Sequence, residues 1–114
     1  WREKGVKYIL NGRTKQKMPH NFQFYQDYKI HEQRLHIETA IKQISASILI
    51  IHAKNDYSIP FEEAIKLHSW NSKSKLLVID NSNHVFDASH PWEPKILPPA
   101  LKTVVEESIA FIKN

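Results

Sequence analysis

Asp56 and His84 are two residues of complementary chemistry, and each follows a run of apolar residues. Asp56 comes a few residues after residues 48–51, and His84 comes a few residues after residues 76–79. A carboxylate that binds a histidine ring fixes which nitrogen carries the proton and stabilises the imidazolium that forms when the ring accepts another. Such a pair is the base half of a nucleophile–base–acid triad. Asp56 and His84 are therefore the candidate catalytic residues.

The two apolar runs predict strands that position this pair. Residues 48–51 and 76–79 are continuous and apolar, the pattern of strands buried on both faces of a parallel sheet. Pro60 lies between them and suits the first turn of a helix, so the segment predicts a strand–helix–strand unit. The carboxyl ends of parallel strands share one sheet edge, where catalytic groups of open α/β sheets gather. We expect Asp56 and His84 to meet at that edge.

The remaining elements are predicted from turn signals and periodicity. The pair Asn11-Gly12 is the strongest two-residue signal for a hairpin turn. The hairpin strands are predicted at 5–10 and 13–18, and helices are predicted at 22–35 and 37–44. An apolar stripe near the end of the chain predicts an amphipathic helix that docks on the sheet. The stripe consists of Leu101, Val104, Val105, Ser108, Ile109 and Ile112.

Two segments resemble the α/β-hydrolase family. Residues 48–60, ILIIHAKNDYSIP, resemble the stretch in which an apolar strand leads to His-Gly-x-x-Asp-x-x-Val-Pro. Residues 76–86, LLVIDNSNHVF, resemble the next strand and the loop that bears the catalytic histidine, which usually ends in His-x-Phe. The acid precedes the histidine, as in the family order Ser…Asp…His. The matching residues are His52, Asp56, Pro60 and His84, while Ile59 replaces the usual valine and Ala53 the usual glycine.

The resemblance implies an α/β fold and a serine-hydrolase chemistry. Residues 46–114 are expected to form the C-terminal βαβα part of an α/β-hydrolase core, with two parallel strands and flanking helices. Residues 1–45 resemble the lid-like hairpin and helices that dienelactone hydrolase-like and prolyl oligopeptidase-like members insert before the acid-bearing strand. By this resemblance Asp56 is the triad acid and His84 the general base, acting on an ester or amide without a cofactor.

The nucleophile of such a triad is missing from the sequence. There is no Gly-x-Ser-x-Gly elbow, and the chain holds only two glycines, Gly5 and Gly12. The oxyanion-hole loop would also lie upstream. We therefore expect the chain to be the C-terminal part of a longer protein and to be inactive alone. Two alternatives stay open: an inactive member of the fold that serves as a binding module, and an aspartate-nucleophile enzyme such as a haloalkane dehalogenase or epoxide hydrolase.

Other residues that can carry chemistry have simpler interpretations. His52 ends a predicted strand, where a packed, hydrogen-bonded histidine is expected. His90 with Asp87 suggests a metal site only weakly, because no His-x-x-x-His spacing or comparable cluster supports it. Three aromatic residues can line a substrate pocket, although packing is their more frequent role; they are Trp1, Tyr25 and Trp92.

Composition limits the remaining classes of function. The absence of cysteine excludes disulfides, thiolate nucleophiles and cysteine zinc sites. No apolar run approaches the roughly 18 residues of a membrane span, and we expect a cytoplasmic protein. Residues 1–17 carry six basic residues against Glu3, which suits a solvated face or a nucleic-acid contact, but no nucleic-acid motif accompanies them.

The expected partners follow from this interpretation. They are a small ester or peptide-like substrate and the missing N-terminal half of the same protein, with neither nucleic acid nor membrane. A strand whose edge has lost its neighbour presents unpaired N–H and C=O groups, and these can pair with another chain. The isolated chain is therefore expected to form strand-paired or swapped oligomers.

Overall fold

The computed structural model of this 114-residue chain describes residues 1–12, 14–91 and 93–113. They form two compact units, Trp1–Ala40 and Ile41–Asn114. The first unit contains a β-hairpin and a helix. The second contains a strand–helix–strand segment followed by a long helix, and it carries both candidate catalytic residues.

The hairpin of the first unit differs from its prediction in the turn. Strand β1 (Val6–Leu10) pairs antiparallel with β2 (Lys17–Asn21), so the return strand begins four residues later than predicted. The reason is a wider loop. The Asn11 side chain accepts the N–H of Thr14 at 3.1 Å, and Lys15 adopts a left-handed φ of 59°. The strand consequently includes Pro19, a residue without an N–H that an edge strand tolerates.

Two helices follow the hairpin. Helix α1 spans Phe22–Ile30, five residues shorter at its C-terminal end than the helix predicted to reach residue 35. It buries no residue. A turn follows it, in which Leu35 donates its N–H to the His31 carbonyl at 2.9 Å. Helix α2 spans Ile37–Gln43, close to its predicted range.

Trp1 and Tyr25 lie in an aromatic cluster of the first unit. The indole N–H of Trp1 donates to the His20 carbonyl at 2.7 Å, and its ring meets Phe22 edge-on at 5.6 Å. The rings of Phe22 and Tyr25 are 5.4 Å apart. These contacts favour packing over the pocket-lining role for Trp1. Tyr25 packs on Phe22 and also borders a surface depression of about 430 Å³, and Trp92 lies outside the described residues.

The second unit confirms the predicted parallel pair. Strand β3 (Leu49–Ala53) and strand β4 (Lys75–Ile79) are hydrogen-bonded neighbours, and their register runs from Leu49 opposite Lys75 to Ala53 opposite Ile79. Helix α3 (Phe61–Trp70) connects them and packs on both, and helix α4 (Pro99–Lys113) packs on β3. In α3 the first turn carries two carboxylates, which the positive helix N-terminus favours.

The strands of this unit are less buried than their sequence predicts. Ala53 and Ile79 are buried, as is Ala64 of α3, but the rest of β3 is only half-buried. The apolar stripe of α4 is also only partly covered, because Val105, Ile109 and Ile112 remain 39, 47 and 81% exposed. Helix α4 has 15 residues and packs on β3, and a sheet of two five-residue strands offers too little surface to cover the whole stripe.

None of the helices in the described part of the chain combines the length and apolar character needed to cross a bilayer.

Candidate active site

The candidate site forms where the two parallel strands end. Asp56 follows β3 by three residues and His84 follows β4 by five. Because Ala53 lies opposite Ile79, the two loops leave the same edge of the sheet. The contact expected from these positions is present: His84 Nδ1 lies 2.8 Å from Asp56 Oδ2. Their catalytic role stays a prediction.

The Asp56 carboxylate is held on both of its oxygens. Oδ1 accepts the backbone N–H groups of Ser58 at 2.7 Å and Ile59 at 2.9 Å, while Oδ2 faces His84. The side chain is only 6% exposed. Desolvation raises the pKa of Asp56, but hydrogen bonds from the Ile59 N–H, the His84 ring and the Ser58 N–H outweigh it and lower the pKa from its ordinary 3.8 to about 2. The group is therefore an anion at neutral pH.

An anionic Asp56 decides the tautomer of His84. An ionised carboxylate only accepts hydrogen bonds, so the Nδ1 atom of His84 must carry the proton that joins them. In the neutral ring this leaves a lone pair on Nε2, which is the form a general base needs. The His84 side chain is 54% exposed, in contrast to the enclosed acid. The pair thus combines a fixed acid with an accessible base.

The loop that carries His84 is shaped by Asn83. Its side-chain Oδ1 accepts the N–H of Val85 at 3.0 Å and that of Asp87 at 3.1 Å. Sequence reasoning did not identify this residue. The available signal was an asparagine in the loop that follows a strand, four residues after β4 ends, since asparagine side chains bind backbone groups two residues further on.

His52 is packed and hydrogen-bonded, as predicted. Its Nδ1 donates to the Ala53 carbonyl at 2.8 Å, and its ring lies 5.8 Å from that of Phe61. Its Nε2 is buried without a hydrogen-bond partner and is 3.9 Å from Asp56 Oδ2, which is too long for a hydrogen bond. His52 therefore lies beside the acid without directly binding it.

A second histidine–serine contact, between His68 and Ser74, lacks the features of a catalytic pair. His68 Nδ1 is 2.8 Å from Ser74 Oγ, and Ser74 in turn donates its hydroxyl proton to the Asn71 carbonyl at 2.6 Å. Ser74 is only 6% exposed. Its hydroxyl is buried and its proton is already bound to a carbonyl, so this contact stabilises the turn before β4.

The site residues border a small apolar cavity. It has a volume of about 200 Å³ and lies against Asp56 and His84, with Ile51, Ala53, Ile59 and Phe86 among its walls. A larger depression of about 550 Å³ lies in the first unit, but there His36 contacts Thr39 and Glu32 pairs with Lys29. Of these two cavities, only the smaller one is bordered by a carboxylate that is hydrogen-bonded to a histidine.

Metal ligation finds no support in the described ranges 1–12, 14–91 and 93–113. Within them, no three histidine, aspartate or glutamate side chains are grouped closely enough to hold an ion. Asp87, one of the two residues considered for a metal, has a left-handed φ of 64° and donates its N–H to Asn83. Its geometry is explained by the loop.

The comparison with solved structures supports the fold. No protein-family model matches the sequence, and a search of the curated proteins finds no match. Among solved structures, the chain is similar to Est1E from Butyrivibrio proteoclasticus, an esterase, with a TM-score of 0.64 and 18% sequence identity. The match covers 84% of this chain and 33% of Est1E, so the chain spans about a third of that protein's length. Over the part it covers, the chain therefore shares the fold of that esterase.

Proposed function

We propose that this chain is the C-terminal part of a serine hydrolase that cleaves an ester or amide, to which it supplies the triad acid and base. The observation that carries the proposal is the 2.8 Å contact between His84 Nδ1 and Asp56 Oδ2 at the shared end of two parallel strands. The acid-before-histidine order and the structural likeness to an esterase support the same conclusion.

In the proposed reaction His84 transfers a proton from the serine hydroxyl to the departing alcohol or amine. Its Nε2 takes the proton of a serine hydroxyl as the serine oxygen bonds to the substrate carbonyl carbon. His84 then returns that proton to the departing alcohol or amine as the bond to it breaks. A water molecule then bonds to the carbonyl carbon of the acyl-serine while His84 Nε2 takes its proton. His84 returns that proton to the serine oxygen as the acyl–oxygen bond breaks, and the carboxylic acid is released. Asp56 stays ionised throughout and stabilises the imidazolium.

The serine in this proposal comes from the upstream part of the same protein. None of the nine serines of the chain has the flanking glycines of a nucleophile elbow. Ser82, which is close to His84 in sequence, is only 4% exposed, and its hydroxyl oxygen is buried. A buried hydroxyl cannot reach a substrate, so Ser82 is a poor candidate, whereas the exposed His84 ring is open to a nucleophile from another segment.

The proposal is tested by labelling the intact parent protein with a fluorophosphonate, which reacts covalently with an activated serine. We expect strong labelling of the wild type and its loss in His84→Ala. His68→Ala is the matched control, because His68 also contacts a serine but lies away from the candidate site. Failure of the wild type to label would reject the serine-hydrolase proposal.

The same experiment separates the alternatives. An inactive binding module would neither label nor turn over any ester. An aspartate-nucleophile enzyme would not label but would hydrolyse a haloalkane or an epoxide. Est1E is an esterase, so a short-chain chromogenic ester is the first substrate to assay.

A further inference from the structure

Asn83 accepts hydrogen bonds from the backbone of the loop that follows it. Its side-chain Oδ1 accepts two N–H groups, from Val85 at 3.0 Å and from Asp87 at 3.1 Å. Its own carbonyl accepts a third, from Phe86 at 2.9 Å. Three consecutive N–H groups after His84 are thus bound to one residue directly before it.

These bonds hold a backbone that is otherwise unfavourable. Phe86 and Asp87 have left-handed φ values of 53° and 64°. Bulky residues such as phenylalanine rarely adopt this region, and residues held there depend on surrounding contacts. The Asn83 bonds span both left-handed residues. Without the side-chain oxygen, the loop would lose the two bonds that Val85 and Asp87 donate to it.

The His84 ring has few other restraints. Its side chain is 54% exposed, so packing against a core does not fix its orientation. Its Nδ1 bond to Asp56 joins residues that are 28 positions apart in the chain. The direction from which the ring reaches Asp56 is therefore set by the backbone of its own loop, and Asn83 shapes that backbone.

We propose that Asn83 is a positioning residue, whose side-chain oxygen folds the loop so that His84 Nδ1 meets Asp56 and His84 Nε2 is left available. The catalytic meaning of this role rests on the proposed function, but the positioning itself does not. Asn83 is not among the residues that border the cavity at the site, and it acts through His84.

The test uses the intact parent protein labelled with ¹⁵N-histidine. Long-range ¹H–¹⁵N spectra recorded where the ring is neutral distinguish a proton on Nδ1 from a proton on Nε2. The variants are Asn83→Ala, which removes the oxygen, and Asn83→Asp, which retains it. Asn71→Ala is the matched control, because Asn71 also binds a loop N–H through its side chain, that of Lys73 at 3.2 Å, on the turn before β4.

We expect wild type and Asn83→Asp to hold the His84 proton on Nδ1. In Asn83→Ala a substantial fraction of His84 should shift to the Nε2–H tautomer. Asn71→Ala should lower the melting temperature without changing the His84 signals. If Asn83→Ala does not fold, Asn83→Ser, which keeps a shorter acceptor, should show an intermediate tautomer ratio.

Two results would overturn the proposal. One is a His84 tautomer in Asn83→Ala, or in Asn83→Ser if that variant is needed, equal to that of wild type. The other is an Asn83→Asp spectrum as altered as that of Asn83→Ala. Neither readout needs hydrolysis, so a parent protein that fails to label with fluorophosphonate would reject the proposed function and leave this inference standing.

Discussion

Replacing Asp56 with asparagine is a sharp test of the site, because the structure determines how the new side chain must lie. The backbone N–H groups of Ser58 and Ile59 both point at Oδ1, at 2.7 and 2.9 Å. Only the oxygen of an asparagine amide can accept them. The amide NH₂ group must then occupy the position of Oδ2, facing His84.

This orientation reverses the tautomer of His84. An NH₂ group donates, so Nδ1 of His84 would have to accept and its proton would move to Nε2. Nε2, which faces the nucleophile in the proposed reaction, would then carry a proton and could not accept another. The same exchange in a well-studied serine protease lowers kcat by about 10⁴ while the geometry stays intact. We expect a fall of at least ~10³-fold here, with KM little changed.

The assay is hydrolysis of a chromogenic ester by the intact parent protein, with Asp56→Ala for comparison. Asparagine keeps the two backbone bonds, so Asp56→Asn should adopt the wild-type fold, whereas Asp56→Ala also loses those bonds and should melt earlier than Asp56→Asn. A loss of activity in Asp56→Asn without a loss of fold would separate the tautomer effect from loop collapse. If Asp56→Asn retains more than about a tenth of the wild-type kcat, Asp56 is not the triad acid.

Three further predictions concern the base, the acid and the isolated chain. His84→Ala in the intact parent should lower kcat by at least ~10³-fold in steady-state assays, and retention of a tenth of the activity would contradict the base assignment. The pKa of Asp56 is lower in the folded state (about 2) than its ordinary 3.8, so its contribution to stability is present above about pH 4 and disappears as the pH falls towards 2. Denaturant unfolding should show the stability difference between wild type and Asp56→Asn shrinking from about pH 5 to about pH 2, and a constant difference would refute this. The isolated chain should hydrolyse no ester and should elute as an oligomer in size exclusion with light scattering, because no further strand of the described residues pairs with the β3–β4 sheet; a stable, cooperatively melting monomer would contradict this prediction.

The strand–helix–strand unit was predictable because the pattern that indicates it extends over whole segments and does not depend on a single side chain. Residues 48–51 and 76–79 are continuous apolar runs, and a helix of suitable length separates them. Parallel pairing then follows from the connection, because a long segment that contains a helix typically joins parallel strands. Asp56 and His84 could be placed together for the same reason, since strand ends determine where the following loops begin.

The missed features depend on single side chains. The Asn11-Gly12 pair favours a two-residue turn, but the Asn11 side chain binds Thr14 and Lys15 adopts a left-handed φ, which widens the loop. Asn83 acts in the same way, through bonds from its oxygen to later N–H groups. Composition does not reveal which of several loop asparagines will make such bonds.

Burial was overestimated for a different reason. A continuous apolar run predicts a strand covered on both faces, but in the described residues β3 is mostly half-buried and Ile112 of α4 is 81% exposed. The upstream part of the protein that we propose would supply this missing cover.

The small residues of the second unit limit how its sequence can diverge. Ala53 ends β3 at 2% exposure and Ala64 lies in α3 at 1%, and these two elements pack together. Valine at either position would add two methyl groups to a closed contact, at a cost of about 1–3 kcal/mol. Ala53 is also three residues before Asp56, so a displaced strand end would move the acid away from His84. Random mutagenesis should therefore recover only alanine, glycine or serine at these two positions, while the exposed charged positions of α4, Lys102 and Glu106, should accept almost any polar residue.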